Sequence, residues 1–136
     1  MSKCPIFSDN SAQIGKLILR LCVGFLMIPH GIHKLINGVG DVKSLISQIG
    51  FPEFVAYGIF IGEIIAPIMI IIGFRARLGA LFVVCTMLVA IATTSGFNLF
   101  GINKVGGFNA EIQLLYLLAS LSIMLIGAGK YSIDKR

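Results

Sequence analysis

Inside long apolar stretches the sequence places a few side chains that could move protons or hold a polar ligand: Arg20, His30, Lys34 and Glu63, with Glu111 at the start of the last stretch. A charge at mid-bilayer costs about 2.5–3.5 kcal/mol on insertion scales, so each needs a partner, a wet cavity or a route to the interface. On a helical projection of ~100° per residue, Arg20, Gly24, Met27, Gly31 and Lys34 share one face, with His30 at its flank and His33 turned away. The two glycines on that face admit a neighbouring helix. At ~1.5 Å rise per residue, His30 and Glu63 fall in the same half of the bilayer, and with Lys34 and Glu111 they can form one cluster. Arg20 lies about 15 Å deeper than His30, so it either reaches Glu63 with its long stem or snorkels to the opposite headgroups. Pro29 removes the hydrogen bond to residue 25 and is expected to kink the helix beside His30. Each residue also has a plainer reading. Glu63 can be an ion-pair partner for Arg20 or Lys34, His30 a packing residue, Glu111 a favourable charge at a helix start, and Lys34 an interfacial anchor.

The inventory excludes several chemistries. His30 and His33, three apart on one helix, cannot bracket a haem, and no Cys or carboxylate run completes a metal site. Cys4, Cys22 and Cys85 are scattered without a paired motif, and the last two are expected to be buried small apolar residues. There is no phosphate loop or dinucleotide fingerprint. No covalent cofactor is expected. A quinone demands less, an apolar slot and one or two polar groups for its carbonyls. The cluster can supply them, with His30 as donor and Glu63 as proton acceptor.

The elements that must position these groups follow from hydropathy. The 136 residues are 57% hydrophobic and 12% charged, and the mean hydropathy is +0.95. Seventeen charged side chains cannot cover so apolar a chain in water. Four windows, residues 14–36, 54–73, 78–97 and 110–128, approach the roughly 20 residues that cross a bilayer. Without the alternation of a barrel, these predict an all-α integral membrane four-helix bundle, a single domain over 1–136. In the first connection Val42, Leu45, Ile46 and Ile49 form an apolar stripe, with Asp41 as a cap and Gly50–Pro52 as a stop. This predicts a short amphipathic helix on the outer membrane surface. The link between the second and third spans is so short that those helices are antiparallel neighbours. The third connection, rich in Gly and Asn, reads as a flexible loop. The polar first residues and the interrupted run behind them do not fit a cleaved signal peptide, and the first span is expected to be retained.

Lys and Arg set the orientation. One side collects Lys3, Lys16, Arg75, Arg77, Lys130, Lys135 and Arg136, the other Lys34, Lys43 and Lys104. That imbalance places both termini in the cytoplasm of a bacterial-type inner membrane as a multi-pass protein. The net charge of +5 is accounted for by anionic lipid headgroups rather than nucleic acid.

Several strings resemble the DoxX family of small four-helix membrane proteins: "RLCVGFLMIPHGIHKL" (Arg20 to Leu35), "GFPEFVAYGIFIGEIIAPIMIIIGFRAR" (Gly50 to Arg77), "NAEIQLLYLLAS" (Asn109 to Ser120) and "GAGKYSID" (Gly127 to Asp134). The resemblance covers about residues 14–134. It implies that Arg20, His30, Gly31, Lys34, Gly62, Glu63, Arg75, Arg77, Glu111 and Tyr116 carry the family pattern, together with the closing Tyr131–Asp134. Some members resemble quinone-reducing thiosulfate oxidoreductases. The resemblance therefore implies a quinone-facing or small-ligand-binding membrane subunit of a redox-linked module, an oxidoreductase subunit if a reaction occurs, beside a redox enzyme partner. The alternative is a noncatalytic scaffold that stabilises a partner protein. A transporter fits least, because one copy of four spans offers little room for a pathway and would require a homo-oligomer.

Overall fold

The computed structural model describes residues 8–95 and 100–135. The expectations for Lys3, Cys4, Arg136 and the end of the third span at residue 97 lie outside the described residues. Five helices follow one another: α1 (Asp9–Asn37), α2 (Gly40–Gln48), α3 (Glu53–Ile72), α4 (Ala76–Ser95) and α5 (Glu111–Ile126). The helices α1, α3 and α4 are long and apolar enough to cross a membrane. With 16 residues, or about 24 Å, α5 is shorter than its expected span and lies along α4 in the most extensive seam of the bundle.

The first helix begins before its apolar stretch because Ser8 caps it, accepting a hydrogen bond from the Ser11 amide, and Asp9 sits in the first turn. Both features favour a helix start. The helix continues through Pro29 to Asn37 and buries Arg20, Val23, Gly24, Met27 and Gly31, which is the projected stripe up to Gly31 with Val23 added. Phe25, Leu26 and Leu35 on other faces are exposed and suit a lipid environment. His33 is exposed as expected.

The third helix is irregular for a chemical reason. It opens with a 3-10 stretch, Glu53–Tyr57, and carries a π-helical stretch at Ile61–Ile65 before regular helix over Ala66–Ile72. Pro67 has no N–H, so the Glu63 carbonyl four residues earlier has no ordinary helical donor. Just before Pro67, the Ala66 amide bonds to the Ile61 carbonyl five residues back rather than to that of Gly62 four back. Such bulges concentrate at functional positions, and this one carries Glu63. Two glycines let neighbours close on it. A Cβ on Gly31 would stand 2.9 Å from the Glu63 carbonyl oxygen, and one on Gly62 would collide with the Thr86 hydroxyl.

The connections differ from their expected forms. The second helix does not simply lie on the membrane surface: Ile46 is buried with Val39 and Ala56, and Val42, Val55, Ile59 and Phe60 pack around them. Asp41 is not the cap. Val39 holds that position without a side-chain bond, and the helix starts two residues earlier than a cap at Asp41 would set it. The stop is as expected, with Gly50 at φ 86° and the Phe51 amide reaching back to the Ile46 carbonyl.

Over residues 100–109 the third connection is a compact hairpin rather than a loose loop. Ile102 pairs with Phe108, and the Asn103 side chain accepts from the Val105 and Gly107 amides. Local side-chain capping thus outweighs the glycine content.

After α5 the chain folds back under the turn joining α3 and α4. The Ile133 and Asp134 amides donate to the Ile72 and Gly73 carbonyls, and an Asp134 carboxylate oxygen accepts from the Arg75 amide. The Lys130 amide donates to Gln13 near the start of α1. This end of the bundle therefore holds the start of α1 and the final segment. The opposite end carries α2 and the hairpin.

Candidate functional site

Toward the hairpin end, α1, α3, α4 and α5 border a half-open chamber of 140 Å³ into which several polar side chains converge. The face of α1 contributes Met27, His30 and Lys34; the π stretch of α3 contributes Glu63; α5 contributes Gln113 and Tyr116. Glu63 has a side chain only 3% exposed, and one carboxylate oxygen receives the Lys34 ammonium at 2.5 Å. Lys34 remains 27% exposed, so the pair joins a buried carboxylate to a wetter cation near the end of α1. The second Glu63 oxygen has no hydrogen-bond partner among the described residues. A buried carboxylate with one open acceptor is costly unless water, a ligand or a proton completes it. The other such atom is the hydroxyl of Ser120, one turn along α5 from Tyr116.

His30 meets the Tyr116 ring edge-on, with centroids 6.1 Å apart and planes at 85°. Both residues also line a second cavity of 450 Å³ between α1 and α5, otherwise formed by apolar side chains such as Leu19, Leu26 and Leu115. The two rings are therefore a shared wall between a polar space and an apolar one.

Of the expected cluster, His30, Lys34 and Glu63 come together, and Tyr116 joins them. Glu111 does not. Its carboxylate lies over Gly107 of the hairpin, within 2.1 Å of where a Cβ there would be, and Gln113 takes the place on the chamber wall. The rotation of α5 decides this, because residues two apart on a helix point in nearly opposite directions.

Arg20 takes neither expected route. It is 1% exposed and neither touches Glu63 nor reaches the headgroups. Its guanidinium donates to four backbone carbonyls: Ile70 at 2.9 Å, Ile71 at 2.7 Å, Ala128 at 2.9 Å and Tyr131 at 2.7 Å. These are the carbonyls that the ends of α3 and α5 and the following turn leave without helical donors. Arg20 thus serves as a clasp at the far end of the bundle.

Cys22 and Cys85 are not buried in the core either. Each is a free thiol on an outer face, Cys22 in the apolar cavity beside α5 and Cys85 in an apolar pocket between α3 and α4.

Comparison with known proteins bears on this arrangement. The family model described as DoxX matches residues 15–96, which include most of α1, the π stretch and all of α4. A Bacillus subtilis (strain 168) protein named "Putative oxidoreductase CatD" is 30% identical over 126 residues, covering 93% of this chain and 89% of that protein. No solved structure matches significantly.

Proposed function

The chain belongs to the DoxX family of membrane proteins, and on that premise we propose that its chamber binds the polar ring of a quinone-like ligand, as the membrane-embedded subunit of a redox-linked module. The observation that carries this reading is the open oxygen of Glu63, buried beside Lys34 in a cavity that also presents His30. A space of about 150 Å³ accommodates one benzene ring, so the chamber, at 140 Å³, matches a single six-membered ring in size. Lys34 fixes the carboxylate. The free oxygen accepts a hydrogen bond from a ring hydroxyl or, once protonated, donates one to a ring carbonyl. His30 supplies a second polar contact from α1. The oxidoreductase name of the Bacillus relative supports a redox setting, with electrons supplied by a partner enzyme.

The charge imbalance between the two ends supports a cell-membrane location with both termini cytoplasmic, which puts the chamber in the outer half of the bilayer. Purified protein in lipid nanodiscs should bind a benzoquinone analogue saturably. Glu63→Gln and His30→Ala should each weaken that binding about tenfold or more. Undiminished binding in both variants would overturn the proposal.

A second reading is favoured by the Lys34–Glu63 pair itself, which ties α1 to α3: a scaffold whose intramembrane charges hold helices together for a client protein. On that reading Glu63→Gln lowers stability, and no ligand binds.

A further inference from the structure

The polar chamber is not sealed on every side. Along the seam between α1 and α5 it adjoins the 450 Å³ apolar cavity, and His30, Ile112 and Tyr116 line both. The cavity extends down α1 from His30 to Leu19, eleven steps or about 16 Å of helix. Contact across this seam is the thinnest between neighbours among α1, α3, α4 and α5. The side chains at its mouth, Leu26, Ile112 and Leu115, are exposed on the outer surface of the bundle, where a bilayer would lie.

We infer that this cleft holds the hydrocarbon tail of the ligand whose ring occupies the chamber, so that the ligand enters sideways from the bilayer between α1 and α5. The inference rests on the ring-binding reading above and narrows it to a membrane-resident, tailed compound. Adjacency decides the occupant. A tail attached to a ring beside His30 and Tyr116 has this apolar space directly next to it, whereas the hairpin closes over the start of α5 at the other end of the chamber. A second copy of the chain fits less well, since a helix about 10–12 Å across cannot enter a space bounded by two adjacent helices. Lipid chains are as apolar as the cleft, so it adds little affinity of its own. It directs the tail.

That distinction sets the test. The probes are a tailless dimethoxy-methyl-benzoquinone and its decyl derivative, each titrated into protein in nanodiscs with concentrations expressed in the lipid phase. Ala119 lines the cleft but not the chamber, and Ala119→Phe fills the cleft. The variant should weaken binding of the decyl compound about tenfold or more while leaving the tailless one within about twofold. An unaltered decyl affinity would overturn the inference. A decyl probe carrying a photoreactive group at the tail end, mapped on the unmodified protein, gives a second measurement that does not depend on the variant folding. Labelling confined to residues 19–26 and 115–119 supports the cleft; labelling spread evenly over the lipid-facing surface means that an ordinary acyl chain occupies it. If neither benzoquinone binds saturably, the ring-binding reading fails, and this inference with it. If the tailless compound binds while the decyl result is negative, only the tail assignment fails.

Discussion

Glu63 and Arg20 are both nearly inaccessible to solvent, yet their surroundings treat the two charges in opposite ways. Arg20 spends its guanidinium on four carbonyls, whereas half of the Glu63 carboxylate is unanswered. Arg20→Met should therefore be purely structural. Hydrogen bonds to a charged donor contribute about 1.5–3 kcal/mol each, so losing four should destabilise the bundle by more than about 4 kcal/mol. Arg20→Lys should restore little, because a single ammonium cannot span the same carbonyls. Thermal unfolding in detergent checks both. Lys34→Met leaves a buried carboxylate unpaired, a loss of about 3 kcal/mol, and adding Glu63→Gln should recover most of it; the double-mutant cycle measures the coupling. At this scale the sequence was informative where projection was applied and misleading where it was not. The stripe on α1 was legible from spacing alone. On the last helix, depth placed Glu111 with His30, but Glu111 and Tyr116 stand about 140° apart on a helix, while Gln113 and Tyr116 are about 60° apart. Gln113 was thus within reach of the same reasoning. The clasp around Arg20 was not, since its acceptors are backbone carbonyls that carry no sequence signature.

Between elements, the decisive object is the π stretch of α3. It follows from Pro67 and sets the direction of Glu63 at the centre of the bundle. Pro67→Ala returns a donor to the Glu63 carbonyl and favours ordinary helix, which would turn Glu63 away from Lys34. The expected outcome is a folded protein with weakened ring binding, distinguishable from simple unfolding by retained helical circular dichroism. Close packing keeps the bulge in register. Gly62→Ala should destabilise by about 1–3 kcal/mol through overpacking against Thr86, and Thr86→Ala in the same chain should relieve part of that loss, as denaturant titration would reveal. The three long apolar helices and the shorter apolar α5 were evident from hydropathy, but the bulge was not, because an extra residue per turn leaves no periodic mark in an apolar run. The hairpin over residues 100–109 was missed for a related reason. Its order comes from one Asn side chain bonding two amides, a local geometry that composition hides.

For the whole molecule, the two ends of the bundle are built to different rules. The hairpin end carries a half-open chamber beside a thin seam, while the opposite end is tied by Arg20 and the final segment. Removing residues 128–136 deletes the Ala128 and Tyr131 acceptors together with Asp134, and should lower the unfolding temperature far more than removing 135–136 alone; a thermal-shift comparison of the two truncations tests this. The clasp also carries a timetable. Arg20 and the Tyr131 carbonyl that receives it are 111 positions apart, and ribosomes add about 5–20 residues per second. For roughly 5–20 s during synthesis, a nascent first span would carry its charge with part of its final coordination still unmade. Maturation must then run from the last residues back to the first, and until it does the newborn protein depends on water, headgroups or an insertion factor to shelter that arginine.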